Sequence, residues 1–153
     1  MPQAAFSAAA VNAPTAPWVV GPIAAKSESG QGYCSMKNSY PSGQMLVFAR
    51  DADGSNSIAL DFKKDTLEVG RQYPVTVRSG VVVRQAAALA ATKRVMIMQM
   101  GVDNDFYSTL RRKHKVSFET QGRVYDFGLD GSVVDALKAM GDCSASLQSG
   151  GKF

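Results

Sequence analysis

Short runs of alternating apolar and polar residues, separated by turn-forming residues, constrain the fold of this chain more than any other feature. Residues 57–62, 116–120 and 123–129 alternate in this way, with the period of a strand that buries one face. The dipeptide Gln121-Gly122 joins the last two runs, and DADGSN precedes the first. Both sequences are rich in residues that accept turn dihedrals. The pattern therefore predicts β-hairpins.

Further strands are indicated by apolar or β-branched runs bounded by Gly, Pro, Asn, Asp or Ser. These runs cover residues 18–23, 33–37, 45–50, 73–77, 81–85 and 94–100. The segment AAALAATK, before the last of them, has helical propensity but is too short and uncapped to assign. No repeat of fixed period is present, which excludes solenoids and propellers.

Two short helices are predicted, at about residues 103–112 and 133–140. Asp103 is a suitable N-cap for the first, and Ser132 precedes the second with capping-box spacing. Gly141 is well placed to end the second helix. About seven or eight strands with two helices, and no βαβ rhythm, predict a mainly β fold. We expect a single-domain antiparallel β-sandwich or a partly open β-barrel.

The length of the chain, 153 residues, suits one domain. Residues 1–17 contain three prolines and are predicted to form a flexible Ala/Pro-rich arm. Residues 18–143 are predicted to form the β-rich domain, and residues 144–153 a polar tail.

Charge and the N-terminal sequence bear on the compartment. The net charge of +4 is compatible with an anionic surface as partner. No stretch approaches the roughly 18 apolar residues that span a bilayer, and residues 2–17 lack the basic start and apolar core of a secretory signal. Either the protein is cytosolic, or the chain is a mature exported protein without its signal. We favour export to the periplasm or beyond, because an Ala/Pro/Ser-rich leader is typical of mature envelope proteins.

Cys34 and Cys143 are the only cysteines, and we predict a disulfide between them. It would close a loop of about 110 residues, to which the chain-entropy model assigns about 4.7 kcal/mol. The alternatives are two unpaired buried thiols or one reactive thiol. A zinc site is disfavoured, because two cysteines and the single histidine, His114, cannot supply four ligands. We predict no metal and no cofactor.

The basic run around His114 is a candidate anion-binding patch, formed by Arg111, Arg112, Lys113 and Lys115. The alternative is a solvated helix-to-strand junction whose cations offset the helix dipole. Nucleic-acid binding is not expected, because the aromatic residues alternate as core residues and are not displayed for stacking.

Two acidic groups have a functional and a structural interpretation. Asp51, Asp53 and Asn56 suggest a calcium loop, but their spacing does not match an EF-hand, and a hairpin turn explains them. Asp103 and Asp105 could be a carboxylate pair, but a capped helix start is simpler.

Catalytic patterns are not recognisable in the sequence. A Cys34–His114 pair has no third orienting residue, and a disulfide would abolish the nucleophile. The chain has no GxSxG, P-loop, GxGxxG or HExxH motif. Met96, Met98 and Met100 fit either a core strand or a methionine-lined groove. We predict that the protein is not an enzyme.

The segment FYSTLRRKHKVSFETQGRVYDFGLDGSVVDALKAMGDC, residues 106–143, resembles the closing module of small exported proteins of Gram-negative bacteria, the invasion-associated locus B type. The shared features are a basic element, a two-strand hairpin, the FGLDGS sequence and a last helix. The resemblance implies export, a β-rich fold and an envelope or host-contact role without catalysis. Members of that family usually carry further cysteines in mid-chain, and this chain has none there.

These observations lead to two functional hypotheses. The first is a non-enzymatic periplasmic or envelope-associated protein, a structural or accessory subunit of a bacterial surface or secretion assembly with protein partners. The second is a small secreted inhibitor or immunity protein that blocks an enzyme with a loop, either residues 26–32 or residues 51–56.

Overall fold

The computed structural model describes residues 12–23 and 32–149 of the chain. In that part, nine antiparallel strands and two helices are present. The strands are β1 (Val19–Ile23), β2 (Tyr33–Ser39), β3 (Met45–Asp51), β4 (Asn56–Asp61), β5 (Gln72–Ser79), β6 (Val82–Ala90), β7 (Val95–Gly101), β8 (Lys115–Thr120) and β9 (Arg123–Gly128). The helices are α1 (Asn104–Lys113) and α2 (Val133–Ser149).

All nine strands belong to one sheet, in the order β9-β8-β5-β6-β7-β4-β3-β2-β1. The sheet curls into a half-barrel, and α2 packs against β1, β2 and β3. The prediction of a mainly β fold with two helices is confirmed.

The core lies inside the curl and is rich in aromatic side chains. Phe48 and Phe118 are fully buried. Phe62, just after β4, and Tyr125, on β9, have ring centroids 5.2 Å apart. These two strands are far apart in the strand order, so their contact shows that the sheet folds over onto itself. Met96 and Met98 are also fully buried, hence they are core residues.

The segment before β1 crosses from β2 to β9. The backbone N–H of Thr15 donates to the carbonyl of Ser39 (3.0 Å), and the N–H of Gly128 donates to the carbonyl of Asn12 (2.8 Å). The composition of residues 12–17 predicts a flexible arm, yet their backbone bonds to the ends of two strands, because extended backbone can pair whatever its composition. Residues 1–11 lie outside the described residues.

The second helix is longer than predicted. It continues through Gly141 to Ser149, nine residues past the expected end, so Gly141 does not end it and the predicted polar tail begins inside it. Ser144 and Leu147 are buried. A helix-interior glycine costs about 1 kcal/mol relative to alanine, and packing of the last two turns on the sheet outweighs that cost.

The alanine-rich segment after residue 85 is part of strand β6, and Ala88 and Ala90 face the core. Its helical propensity is overridden, since β6 pairs with β5 along its whole length. Small side chains there leave space for the methionines on β7, which pair with the same positions.

Candidate functional site

The two cysteines form a disulfide that joins α2 to β2. Their Cα atoms are 6.0 Å apart, and Cys34 is fully buried. The predicted pairing is confirmed, and neither cysteine is free. Disulfides of this kind are typical of proteins that fold outside the reducing cytosol, which fits a non-cytoplasmic protein.

The four cations of the predicted patch lie at the end of α1 and the start of β8, and they face different surfaces. Arg112 donates to the hydroxyl of Thr109 (3.2 Å), and the Lys113 side chain packs over Gly80. Arg111 and Lys115 line two separate depressions. Anion binding by all four as one patch stays a prediction, and these cations do not converge on one depression.

Asp103 is the N-cap of α1 and an ion-pair partner. Its carboxylate accepts from the N–H of Phe106 (3.1 Å) and from Arg84 at 2.6 and 3.2 Å. The hydrogen bond from Arg84 is the main cause that holds the pKa of Asp103 below its ordinary value. Asp105 lies in the first turn of the same helix. The structure therefore supports the capped-helix interpretation of these two residues.

The DADGSN segment forms a compact hairpin turn. The N–H of Gly54 donates to the carbonyl of Asp51 (3.0 Å), and the side chain of Asp53 accepts from the N–H of Ser55 (2.9 Å). Asn56 is buried and donates to the carbonyl of Gly101 (3.0 Å). In residues 12–23 and 32–149, no three His, Cys, Asp or Glu side chains are grouped to hold a metal.

A cleft between α1, α2 and the end of β3 has a volume of about 250 Å³. Helix α1 contributes one stripe, because residues three and four apart share a face. The lining residues are Arg50, Asn104, Tyr107, Ser108, Arg111 and Leu137. The cleft thus combines two guanidinium groups and two hydroxyl groups with one leucine.

Arg50 is held in this cleft from three sides. Its Nε donates to Oδ1 of Asn56 (2.7 Å), and its guanidinium carbon lies 5.5 Å from the centre of the Tyr107 ring. A Cβ on Gly141 would come within 3.3 Å of its Nη1. The glycine inside α2 therefore leaves room for this side chain. Arg50 is also the register partner of Cys34, so the disulfide lies next to the cleft.

Tyr107 supplies an unpaired hydroxyl group. Its side chain is only 6% exposed, and its Oη has no hydrogen-bond partner among the residues that the structure describes. A buried polar group without a partner costs about 1–3 kcal/mol. Burial is the main cause that raises the pKa of Tyr107, so the phenol keeps its proton and can donate.

On the other side of α1, three valines are exposed around the Arg84–Asp103 ion pair. Val81 is 94% exposed, Val83 43% and Val102 67%. Val83 and Val102 directly neighbour the two paired residues in the chain. We call these three residues the valine patch.

Sequence reasoning identified Arg111 and missed the other cation of the cleft. The stripe of Asn104, Tyr107, Ser108 and Arg111 on α1 was a signal that the helix has a polar face. Arg50 had no such signal, because it lies more than fifty positions from α1 and its approach depends on the tertiary fold.

No protein-family model matches the chain, and neither a curated protein nor a solved structure matches it. No helix in the described residues is both long and apolar enough to cross a membrane.

Proposed function

We propose that this protein is a non-enzymatic periplasmic or envelope-associated protein, an accessory or structural subunit of a bacterial surface or secretion assembly. It docks on a partner protein through the valine patch. The exposure of Val81, Val83 and Val102 is the observation that carries the proposal. An exposed apolar surface with a polar rim is typical of protein–protein contacts, and Val81 and Val83 line one depression together with Arg84 and Asp105.

The patch is presented by a rigid part of the fold, which favours binding. Val83 lies on β6, where its register partner is Arg78 of β5. Two hydrogen bonds from the Arg84 side chain to the Asp103 carboxylate connect β6 to the start of α1. A preorganised surface loses little conformational entropy when it binds, and burial of an exposed valine contributes up to about 1.5–3 kcal/mol.

The disulfide supports the proposed compartment. It connects the last helix to an early strand, 109 positions apart, and structural disulfides are rare where thiols are kept reduced. The resemblance of residues 106–143 to exported proteins points the same way.

In vivo photo-crosslinking tests the proposal. A photo-reactive amino acid replaces Val81, and the control replaces Val124, which is 57% exposed on β9. We expect position 81 to give one discrete adduct with an envelope protein, and the added substitution Val102→Asp to abolish it. No adduct at position 81, or the same adducts at position 124, would overturn the proposal.

The inhibitor or immunity protein is the second candidate, and the 51–56 turn favours it. The hydroxyl of Ser144 donates to the carbonyl of Asp51 (2.6 Å), and Ala52 is buried. The turn is therefore held against α2, as a blocking loop should be preorganised. Residues 26–31 of the other candidate loop lie outside the described residues. An adduct with one soluble enzyme from a photo-reactive group at Asp53, with none at position 81, would select this candidate.

A further inference from the structure

We propose that the cleft between α1 and α2 is a binding site for a phosphate group, held by Arg50, Arg111 and the hydroxyl of Tyr107. This inference does not rest on the proposed function, since the cleft and the valine patch lie on different sides of α1. The ligand class is inorganic phosphate or a small phosphate monoester.

The charge of the cleft favours a dianion. Both Arg50 and Arg111 line it, and none of the acidic side chains that the structure describes does. Neither arginine forms an ion pair within the described part of the chain, where six other cations do. The nearby carboxylate of Asp103 is already paired with Arg84. Two guanidinium groups without anionic partners are the groups that proteins use to bind phosphate.

Arg50 is oriented before any ligand arrives. Its Nε is used by Asn56, and the Tyr107 ring and Gly141 restrict the guanidinium on two further sides. The bond to Nε leaves both Nη groups for a ligand, and a fixed guanidinium fork gives the geometry for two parallel hydrogen bonds. The glycine in α2 is hard to explain by helix stability alone, because alanine is the better helix former.

The Tyr107 hydroxyl is a second, independent sign of a ligand. Its Oη is buried and has no partner among the described residues, although buried hydroxyl groups are normally hydrogen-bonded. Tyr107 lines the cleft, but its Oη is closed to a molecule the size of water, so a phosphate oxygen accepts its proton only when the tyrosine side chain shifts on binding. Ser108 and Asn104, on the same helix face, can supply further donors.

The size of the cleft limits the ligand. Its volume of about 250 Å³ exceeds the space of a few waters, at about 30 Å³ each. Phosphate alone would leave part of it unfilled. Leu137 provides the apolar wall, against which a small organic substituent of a monoester would pack.

Calorimetric titration of the oxidised protein with inorganic phosphate and with phenyl phosphate tests the site. Vesicles that contain phosphatidic acid form a third arm, to distinguish a small ligand from a lipid headgroup. We expect saturable binding of both small phosphates, tighter for the phenyl ester. Arg50→Met and Arg111→Met should each weaken it at least tenfold. Arg123→Met is the matched control, since this exposed cation of β9 lies outside the cleft and its loss changes the net charge equally.

Tyr107→Phe separates a ligand site from a structural defect. It removes the unpaired hydroxyl and keeps the ring, so the urea midpoint of the free protein should rise while phosphate affinity falls several-fold. Absence of saturable phosphate binding, or equal affinity in Arg50→Met and Arg123→Met, would overturn the proposal. Binding of vesicles alone, with no response to either small phosphate, would also overturn it. A lower midpoint in Tyr107→Phe with unchanged affinity would show that the hydroxyl serves folding only.

Discussion

Replacement of both cysteines by alanine should lower the free energy of unfolding by about 3–5 kcal/mol. Cys34 and Cys143 lie 109 positions apart. In the chain-entropy model, closing a loop of that length lowers the conformational entropy of the unfolded chain by about 16 cal/mol/K, which corresponds to about 4.8 kcal/mol of stability at 25 °C. The entropy of unfolding about 130 ordered residues is about 0.27 kcal/mol/K near 60 °C. The melting temperature should therefore fall by up to about 18 °C.

Urea unfolding followed by circular dichroism measures this change. The oxidised protein, the same protein with a reductant, and the double variant Cys34→Ala/Cys143→Ala form the comparison. Reductant should destabilise the wild type and leave the double variant unchanged, which separates loss of the bond from loss of the side chains. A decrease under about 1 kcal/mol would refute the reasoning, because the bond would then restrict the unfolded chain far less than its loop length requires.

Three smaller predictions concern the core and the helix cap. Trp18→Phe should cost about 1 kcal/mol in urea unfolding, because the indole N–H donates to a buried backbone carbonyl (3.1 Å); an unchanged midpoint would contradict this. Phe118→Ala, at a fully buried position, should cost about 3–5 kcal/mol, whereas Val124→Ala, at an exposed one, should stay within about 0.5 kcal/mol; equal losses would refute the assigned core. Asp103→Asn retains the cap but removes the charge that pairs with Arg84. Because the folded pKa of Asp103 is depressed, its ionisation stabilises the fold above about pH 4 and this contribution is lost as pH falls further. The stability difference between wild type and Asp103→Asn should therefore shrink in acid, and a constant difference from pH 7 to pH 2 would contradict the ion pair.

The strands could be predicted from sequence wherever one face of the sheet meets the core. Alternation in 57–62 and 116–120 is a direct consequence of that geometry, and Gln121 and Gly122 both have the positive φ of a tight hairpin. Local signals of this kind depend only on neighbouring residues, hence they were reliable.

The errors arose where tertiary contacts override local preference. Gly141 is a typical helix end, yet α2 continues past it because Leu147 reaches the core. The alanine-rich run of β6, which could not be assigned from its propensity, forms a strand because Ala88 and Ala90 pair with β7 and the run pairs with β5. Contacts of this kind join residues that are far apart in the chain, so they cannot be predicted from a short segment of sequence.

The cleft could be predicted only in part. Its α1 stripe follows from helical spacing, whereas Arg50 on β3 and Leu137 on α2 reach it through the fold of the sheet. The disulfide was predictable from the number and position of the cysteines, but its place beside the cleft follows from the register of Cys34 with Arg50.

The central claim, that this protein acts outside the reducing cytosol, is tested most directly by its thiol state in the cells that make it. Free thiols are blocked at lysis, the cells are fractionated, and the protein is digested without reductant for mass spectrometry. We predict recovery in the periplasmic or extracellular fraction, with the Cys34 and Cys143 peptides linked. Recovery from the cytosolic fraction with both thiols blocked would contradict the account.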